Sequence, residues 1–289
     1  MNGLGTISAR RRVAERMGRA VLGGTAFLAL AALAWLLGMI VVKAWPGMDL
    51  RFLTSFMASQ PARAGILPAI LGTLWLGGLS MLFAIPVGVA AAVYLNEFAP
   101  SNRVTSFLRA SIANLAGVPS VVFGILGLAL FVRYMELGPS LLAAAMTLGL
   151  LTLPIVIVVS EESLKSVPQS IREAAFGLGA SRWQVVRHHV LPYSLPGTLT
   201  GSILALARTM GETAPLILIG AAAYVPFLPS DHGDRFTALP IQAYRWALHS
   251  NAGFHTLAWG AVLVLIVLVL AGNLTAILLR DRFQRRYRW

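Results

Sequence analysis

The stretch REAAFGLGASRWQVVRHHVLP, residues 172–192, places Arg172, Glu173, Arg182, Arg187, His188 and His189 close together in a chain that is only 12% charged. It lies between two long apolar segments and ends in Leu191-Pro192. Glu173-Ala174-Ala175 favours helix, whereas Gly177 and Gly179 favour a turn. Ser181 then suits the N-cap of a second helix. In that helix Trp183, Val186 and Val190 follow at i, i+3 and i+7 and form one apolar face, leaving Arg182, Arg187 and His189 on other faces. The spacing predicts two short helices joined at glycine, closed by Pro192 and Pro196. Taken by itself, this pattern suits a solvated loop somewhat better than a rigid docking knob.

What flanks the block decides the fold class. The chain has 289 residues, 57% of them hydrophobic, and a mean hydropathy of +0.75. No charge occurs in residues 20–42, 66–95, 110–132, 137–160 or 256–279, and a sixth run, 197–224, is interrupted only by Arg208 and Glu212. A bilayer core about 30 Å thick requires about 20 apolar residues of helix. The sequence therefore predicts an all-α membrane protein of about six spans with no large soluble domain. The expected organisation is a basic tail (1–19), an anchor helix (20–42), a main transmembrane domain (66–280) with its polar segment at 161–195, and a second basic tail (281–289).

The net charge of +12 would suit nucleic acid, but the basic residues cluster at the ends of the apolar runs. With both termini on one side, sixteen Lys and Arg fall on that side, six on the other, and Arg208 within the membrane. By the positive-inside rule the termini and the 161–195 segment are expected in the cytoplasm. The chain contains no cysteine, which removes disulfides, thiol nucleophiles and thiolate metal sites. A basic stretch before an apolar run also fits a cleaved leader. Cleavage, however, would leave five helices and a C-terminus against the charge bias, so 20–42 is expected to remain as an anchor. Pro86 is expected to kink the second span.

The central block carries a more specific pattern. Glu173-Ala174-Ala175, three residues, Gly179, nine residues, two further positions and Leu191-Pro192 resemble the EAA loop of ABC importer permeases, with His189 where that family usually has Ile. The stretches LAGVPSVVFGILGLALFV (115–132), ALARTMGETAPLILIGAAAY (205–224) and LPIQAYRWA (239–247) are similar to the PstA-type permeases of phosphate importers. The resemblance covers nearly the whole chain from the second span onward. It implies a type I ABC importer permease fold, with Glu173, Ala174, Ala175, Gly179, Leu191 and Pro192 forming a coupling surface for a cytoplasmic ATPase. It also implies a homologous PstC-type permease, two PstB-type ATPase subunits, an extracytoplasmic PstS-type binding protein, phosphate as cargo, and an inner-membrane location. ATP would be hydrolysed by the partners, because GLGAS lacks the Gly-Lys-Ser/Thr of a phosphate-binding loop. No cofactor or metal is expected in this chain.

Arg208 and Glu212 stand near the middle of the sixth run, four residues apart and hence on one helix face. An intramembrane charge costs about 2.5–3.5 kcal/mol on insertion scales and normally marks a pair or a polar path. Pro215 cannot donate to the Gly211 carbonyl, so the helix is expected to loosen at Gly211. Thr209 and Thr213 add hydroxyls at this level. The expectation is a translocation pathway through Arg208, Glu212, Thr209 and Thr213, since a planar guanidinium can hold two oxygens of an oxyanion. The competing interpretation is a structural ion pair facing a partner permease.

Other clusters are less informative. Adjacent His188 and His189 point apart on a helix, and DHGD (231–234) suits a solvated or docking loop better than a metal site. Glu161 and Glu162 are expected to be solvated. Three alternatives compete with a phosphate permease: an ABC permease for another oxyanion or phosphonate, a secondary transporter, and an intramembrane enzyme. A secondary transporter would ordinarily show an internal repeat, and an enzyme a nucleophile–base or metal constellation. Neither of these two needs a docking block.

Overall fold

The computed structural model describes residues 3–221, 225, 227–228, 231 and 233–286. His232 of the DHGD stretch and Arg288 of the C-terminal basic cluster lie outside them. The described residues contain α-helices, π turns and short 3₁₀ turns joined by loops, without strands. Five helices are long and apolar enough to cross a bilayer, or six if one bent pair counts as a single span.

The chain begins with α1 (Gly3–Ala44), 42 residues and thus about 63 Å long at 1.5 Å per residue. The basic segment expected as a tail is therefore helical from Gly3. It has no proline, and its Ala, Arg and Glu are good helix formers. After a turn at Trp45–Gly47 comes α2 (Leu50–Thr54), capped by Asp49, whose carboxylate accepts from the Phe52 amide at 2.6 Å. Then α3 (Leu67–Val93) runs unbroken through Pro86 and ends in a π turn, Tyr94–Phe98. Asn102 caps α4 (Arg103–Leu115) by accepting from Thr105.

The run 110–132, expected as one span, is not a single helix. α4 stops, and α5 (Ser120–Gly127), continued by a π turn at Leu128–Tyr134, leaves at 100° to it. The cause lies in AGVP (116–119). Proline disfavours helical backbone in the residue before it, and Pro119 itself sits at φ −55, ψ 136.

At the centre is α6 (Leu141–Lys165), capped by Ser140. It is flanked by α3 and by α9 (Leu191–Met210), which close on it through small residues, as membrane helices do. A Cβ at Gly201 of α9 would collide with Val159 of α6, and one at Gly88 of α3 would stand 2.7 Å from Val156. The main core gathers Leu76, Leu141, Leu148, Leu216, Ile219 and Ile241.

Between α6 and α9 lies α7 (Gln169–Gly177), followed by a turn and α8 (Arg182–Val185). The second half of the polar block departs from expectation. Pro192 and Pro196 do not close it: one helix runs from Arg182 to Met210. A π turn at Val186–Val190, in which the Leu191 amide reaches the Val186 carbonyl, immediately precedes Pro192. Widening the helix there accommodates the missing amide and the ring.

The sixth run is also broken. α9 ends at Met210, and after Gly211–Thr213 a new helix, α10 (Ala214–Ile219), runs to Gly220 in the left-handed region, φ 96. Beyond the loop, α11 (Leu239–Ala247) packs on α12 (Gly253–Arg286) around Phe52, Trp246 and Phe254. The expected span at 256–279 therefore continues as helix to Arg286. Arg280 near its end reaches the Thr200 hydroxyl of α9 at 3.4 Å.

Candidate functional site

Two places in this frame carry unusual chemistry: the break between α9 and α10, and the knob made by α7 and α8.

At the break, Arg208 occupies the last turn of α9 and Glu212 follows the helix end. The Nε–Oε1 distance is 3.6 Å, and the side chains are 52% and 17% exposed. The pair therefore lies at a helix terminus on an open face, not inside a continuous helix. Pro215 starts α10 instead of loosening a longer helix, because at the first positions of a helix its missing amide has no bond to lose. Gly211 takes the C-cap position of α9. α10 is held along its side by α5, where a Cβ on Gly124 would stand 2.8 Å from Pro215 and Leu218. Its far end is held by Arg245, whose Nη2 donates to the Ala221 carbonyl at 2.8 Å. Burial lowers the pKa of Arg245 from the ordinary arginine value.

The four residues expected along a pathway do not all share that face. Thr213 stands at the start of α10 and is partly exposed. Thr209 is 1% exposed and lies against α6, its hydroxyl 2.8 Å from that of Thr152. One of these hydroxyls donates to the other, and the other donates to a carbonyl of its own helix, Leu148 or Ala205. Thr209 therefore serves helix packing. The sequence did carry a sign of this, because adjacent helical residues project about 100° apart and Thr209 therefore cannot share the face of Arg208.

At the knob the expected turn is present. Gly179 has φ +81, and Ser181 and Gln184 form a reciprocal capping box. Glu173 and Ala174 are exposed, whereas Ala175 is buried. The apolar inner face consists of Val185, Val186 and Val190, each at most 1% exposed. Trp183, expected on that face, is 55% exposed and lines an apolar groove with Pro86, Val89, Phe98, Leu191 and Leu195, while Phe176 and Leu178 are exposed on the knob. The i, i+3, i+7 pattern misplaced Trp183, which stands about 160° round the helix from Val185, because the buried face is centred on Val185 and Val186.

Sequence reasoning also missed the polar joints at this end of the bundle. Glu161, expected in solvent, is 7% exposed and pairs with Arg109 of α4 at 2.8 Å and with Lys165 at 3.4 Å. Glu97, at the end of α3, pairs with Arg172 of α7 at 2.9 Å. The only hint in the sequence is that each carboxylate stands within two residues of the end of an apolar run.

The model of the family described as "Binding-protein-dependent transport system inner membrane component" matches residues 84–289. The chain is 33% identical to the phosphate transport system permease protein PstA 1 of Mycobacterium tuberculosis, over 98% of this chain and 92% of that protein. It is 34% identical to the phosphate transport system permease protein PstA of Yersinia pestis, over 92% and 90%. Among solved structures, a permease chain of a bacterial alginate ABC transporter aligns with a TM-score of 0.66 at 18% identity over 96% of both chains, which supports the fold alone. With its broken transmembrane helices and projecting helical knob, the chain belongs to the family of binding-protein-dependent transport system inner membrane components.

Proposed function

We propose that this chain is a membrane permease subunit that passes inorganic phosphate into the cytoplasm, driven by ATPase subunits bound to the α7–α8 knob. The observation that carries this reading is the break at Gly211–Thr213, which leaves Arg208 half exposed beside Glu212 in an otherwise apolar segment. An intramembrane guanidinium not buried in helix packing is free to meet an oxyanion. The adjacent carboxylate weakens that attraction, so that a captured ion leaves again. Thr213 adds a hydroxyl at the same level.

Glu173, Ala174, Ala175, Gly179, Leu191 and Pro192 form or flank the surface that meets the ATPase, and Phe176 and Leu178 supply apolar contact there. Because α8 and α9 are one helix, movement of the knob reaches the break at Met210 without an intervening loop. In this reading the knob and both termini are cytoplasmic. A PstC-type permease completes the pathway, two PstB-type ATPases supply the energy and a PstS-type protein delivers the ion. The names of the curated relatives support the choice of phosphate.

The test is uptake of labelled phosphate by cells lacking the chain, with and without its restoration, in the presence of competing molybdate. Uptake that requires the chain and ATP and ignores molybdate supports the reading. Unchanged phosphate uptake with loss of another solute removes phosphate as the cargo.

A further inference from the structure

Knob movement reaches α6 and α9 through the peptide chain itself. Only Ser166–Pro168 separates α6 from α7, and α8 continues into α9. No such continuity joins the knob to α3, whose end at Tyr94–Phe98 lies about 75 residues away in sequence from the Arg172 it touches. Val93 and Leu95 share one buried apolar cluster with Ala175 and Val185, which holds area together but is non-directional. Such packing resists separation better than rotation or sliding.

Arg172, the residue before Glu173, supplies direction. Its Nη2 donates to Glu97 Oε1 and to the Leu164 carbonyl, each at 2.9 Å, and its Nη1 donates to the Val167 carbonyl at 2.6 Å. The two carbonyls belong to the end of α6 and the connection beyond it, where backbone acceptors lack partners within the helix. Glu97 is fixed in turn by Asn96, which donates to the same oxygen at 2.7 Å. The side chains of Arg172 and Glu97 are 12% and 11% exposed. One guanidinium thus joins α3, α6 and α7 in a fixed orientation, as charge-assisted bonds from a planar group do.

We propose that Arg172 is the positioning residue that makes α3 move with the coupling knob, through Glu97. The inference rests on the reading of the chain as an ATP-driven importer subunit. Without this joint, α6 and α9 would still follow the knob through the chain while the end of α3 lagged, and ATP would be spent without a matching passage of solute.

The complete complex, with its partner permease, ATPases and binding protein, is reconstituted in vesicles, and solute taken up per ATP hydrolysed is measured for wild type, Glu97→Gln, Arg172→Gln and Arg172→Lys. The joint predicts that ATP hydrolysis persists in the Gln variants while solute per ATP falls at least about ten-fold, with Arg172→Lys intermediate because it keeps the charge but not the planar fork. A ratio equal to wild type, or uptake and hydrolysis falling together, overturns it.

Should the Gln variants fail to assemble, the absence of native cysteine permits Glu97→Cys with Arg172→Cys, in partners freed of thiols. Both positions line an open recess with Asn96, Lys165, Gln169, Phe176 and Arg182, so a short bifunctional thiol reagent can reach them. A covalent bridge should restore the solute-to-ATP ratio that the double substitution lowers, and a ratio left low after bridging overturns the joint. The wild-type complex tests the cargo separately. If it imports another oxyanion, phosphate is wrong and the joint is judged by the same ratio with that oxyanion.

Discussion

Replacing Arg208 by Gln separates a pathway role from a structural one, because the geometry sets how little a structural role would be worth. The Nε–Oε1 distance of 3.6 Å is long for a hydrogen bond, and Arg208 is 52% exposed. An exposed i,i+4 pair of this kind contributes about 0.3–0.5 kcal/mol, further reduced by solvent screening. For a chain of this size that corresponds to a melting shift on the order of 1–2 °C. A guanidinium donating two bonds to a phosphate is worth more, about 1.5–3 kcal/mol per charged hydrogen bond. If only one of the two bonds is realised during passage, its loss slows transport about 10- to 100-fold, and losing both slows it more. Uptake of labelled phosphate, normalised to folded chain in the membrane, should therefore collapse in Arg208→Gln while thermal stability barely changes. Arg208→Lys should be intermediate. Uptake within two-fold of wild type, or a melting loss above about 5 °C with uptake per folded complex retained, would refute the pathway argument.

Three further substitutions test the packing and the knob. Thr209→Val removes an interhelical contact while Thr152 keeps its bond to the Leu148 carbonyl; the expected cost is about 0.6 kcal/mol, read by thermal denaturation in detergent, with uptake per folded chain unchanged. Gly201→Ala forces a methyl into Val159 and should destabilise by about 1–3 kcal/mol; adding Val159→Ala should recover most of the loss, and a double variant no better than the single would show that the contact is not where the strain arises. Gly179→Ala places a Cβ on a residue at φ +81 at a cost of about 1 kcal/mol. It should weaken binding of the ATPase in pull-down assays more than Gly179→Asn, since asparagine tolerates the left-handed region.

Much of this architecture was legible in the sequence because a membrane penalises each charge and each unpaired backbone group separately. Four of the six apolar runs, 20–42, 66–95, 137–160 and 256–279, fall mostly in single long helices, while 110–132 and 197–224 are broken at sites the runs alone did not mark, and Ser181 with Gly179 announces a helix–turn–helix. The long-range pairs were not legible. Nothing local distinguishes Glu97, 11% exposed beside Arg172, from a carboxylate in water, or Glu161 from its neighbour Glu162, which is 68% exposed. Partners far apart in sequence are brought together by the packing of α3, α4 and α6, and no period in one segment encodes them. The helical face of Trp183 failed for a different reason: the buried face of α8 is centred on Val185, and apolar spacing alone did not choose between Trp183 and Val185.

The prolines show why a correct residue can still yield the wrong element. Pro86 and Pro154 lie inside α3 and α6, which remain continuous, whereas Pro119 and Pro215 open α5 and α10 after real breaks. Proline alone does not separate these cases, since both place a ring where an amide would be. What separates them is how near the preceding glycine stands: Gly117 and Gly211 lie within four residues of Pro119 and Pro215 and follow the ends of α4 and α9, whereas Gly149 and Gly78 are farther from Pro154 and Pro86. The two opened segments pack on each other through Gly124 and Pro215, so the breaks support one another. A break within a membrane removes helical hydrogen bonds and is tolerated where protein or a polar cavity meets the freed groups. The Arg208–Glu212 pair of the sixth apolar run stands at one of these breaks, so the charges and the freed backbone groups lie at the same level of the bundle.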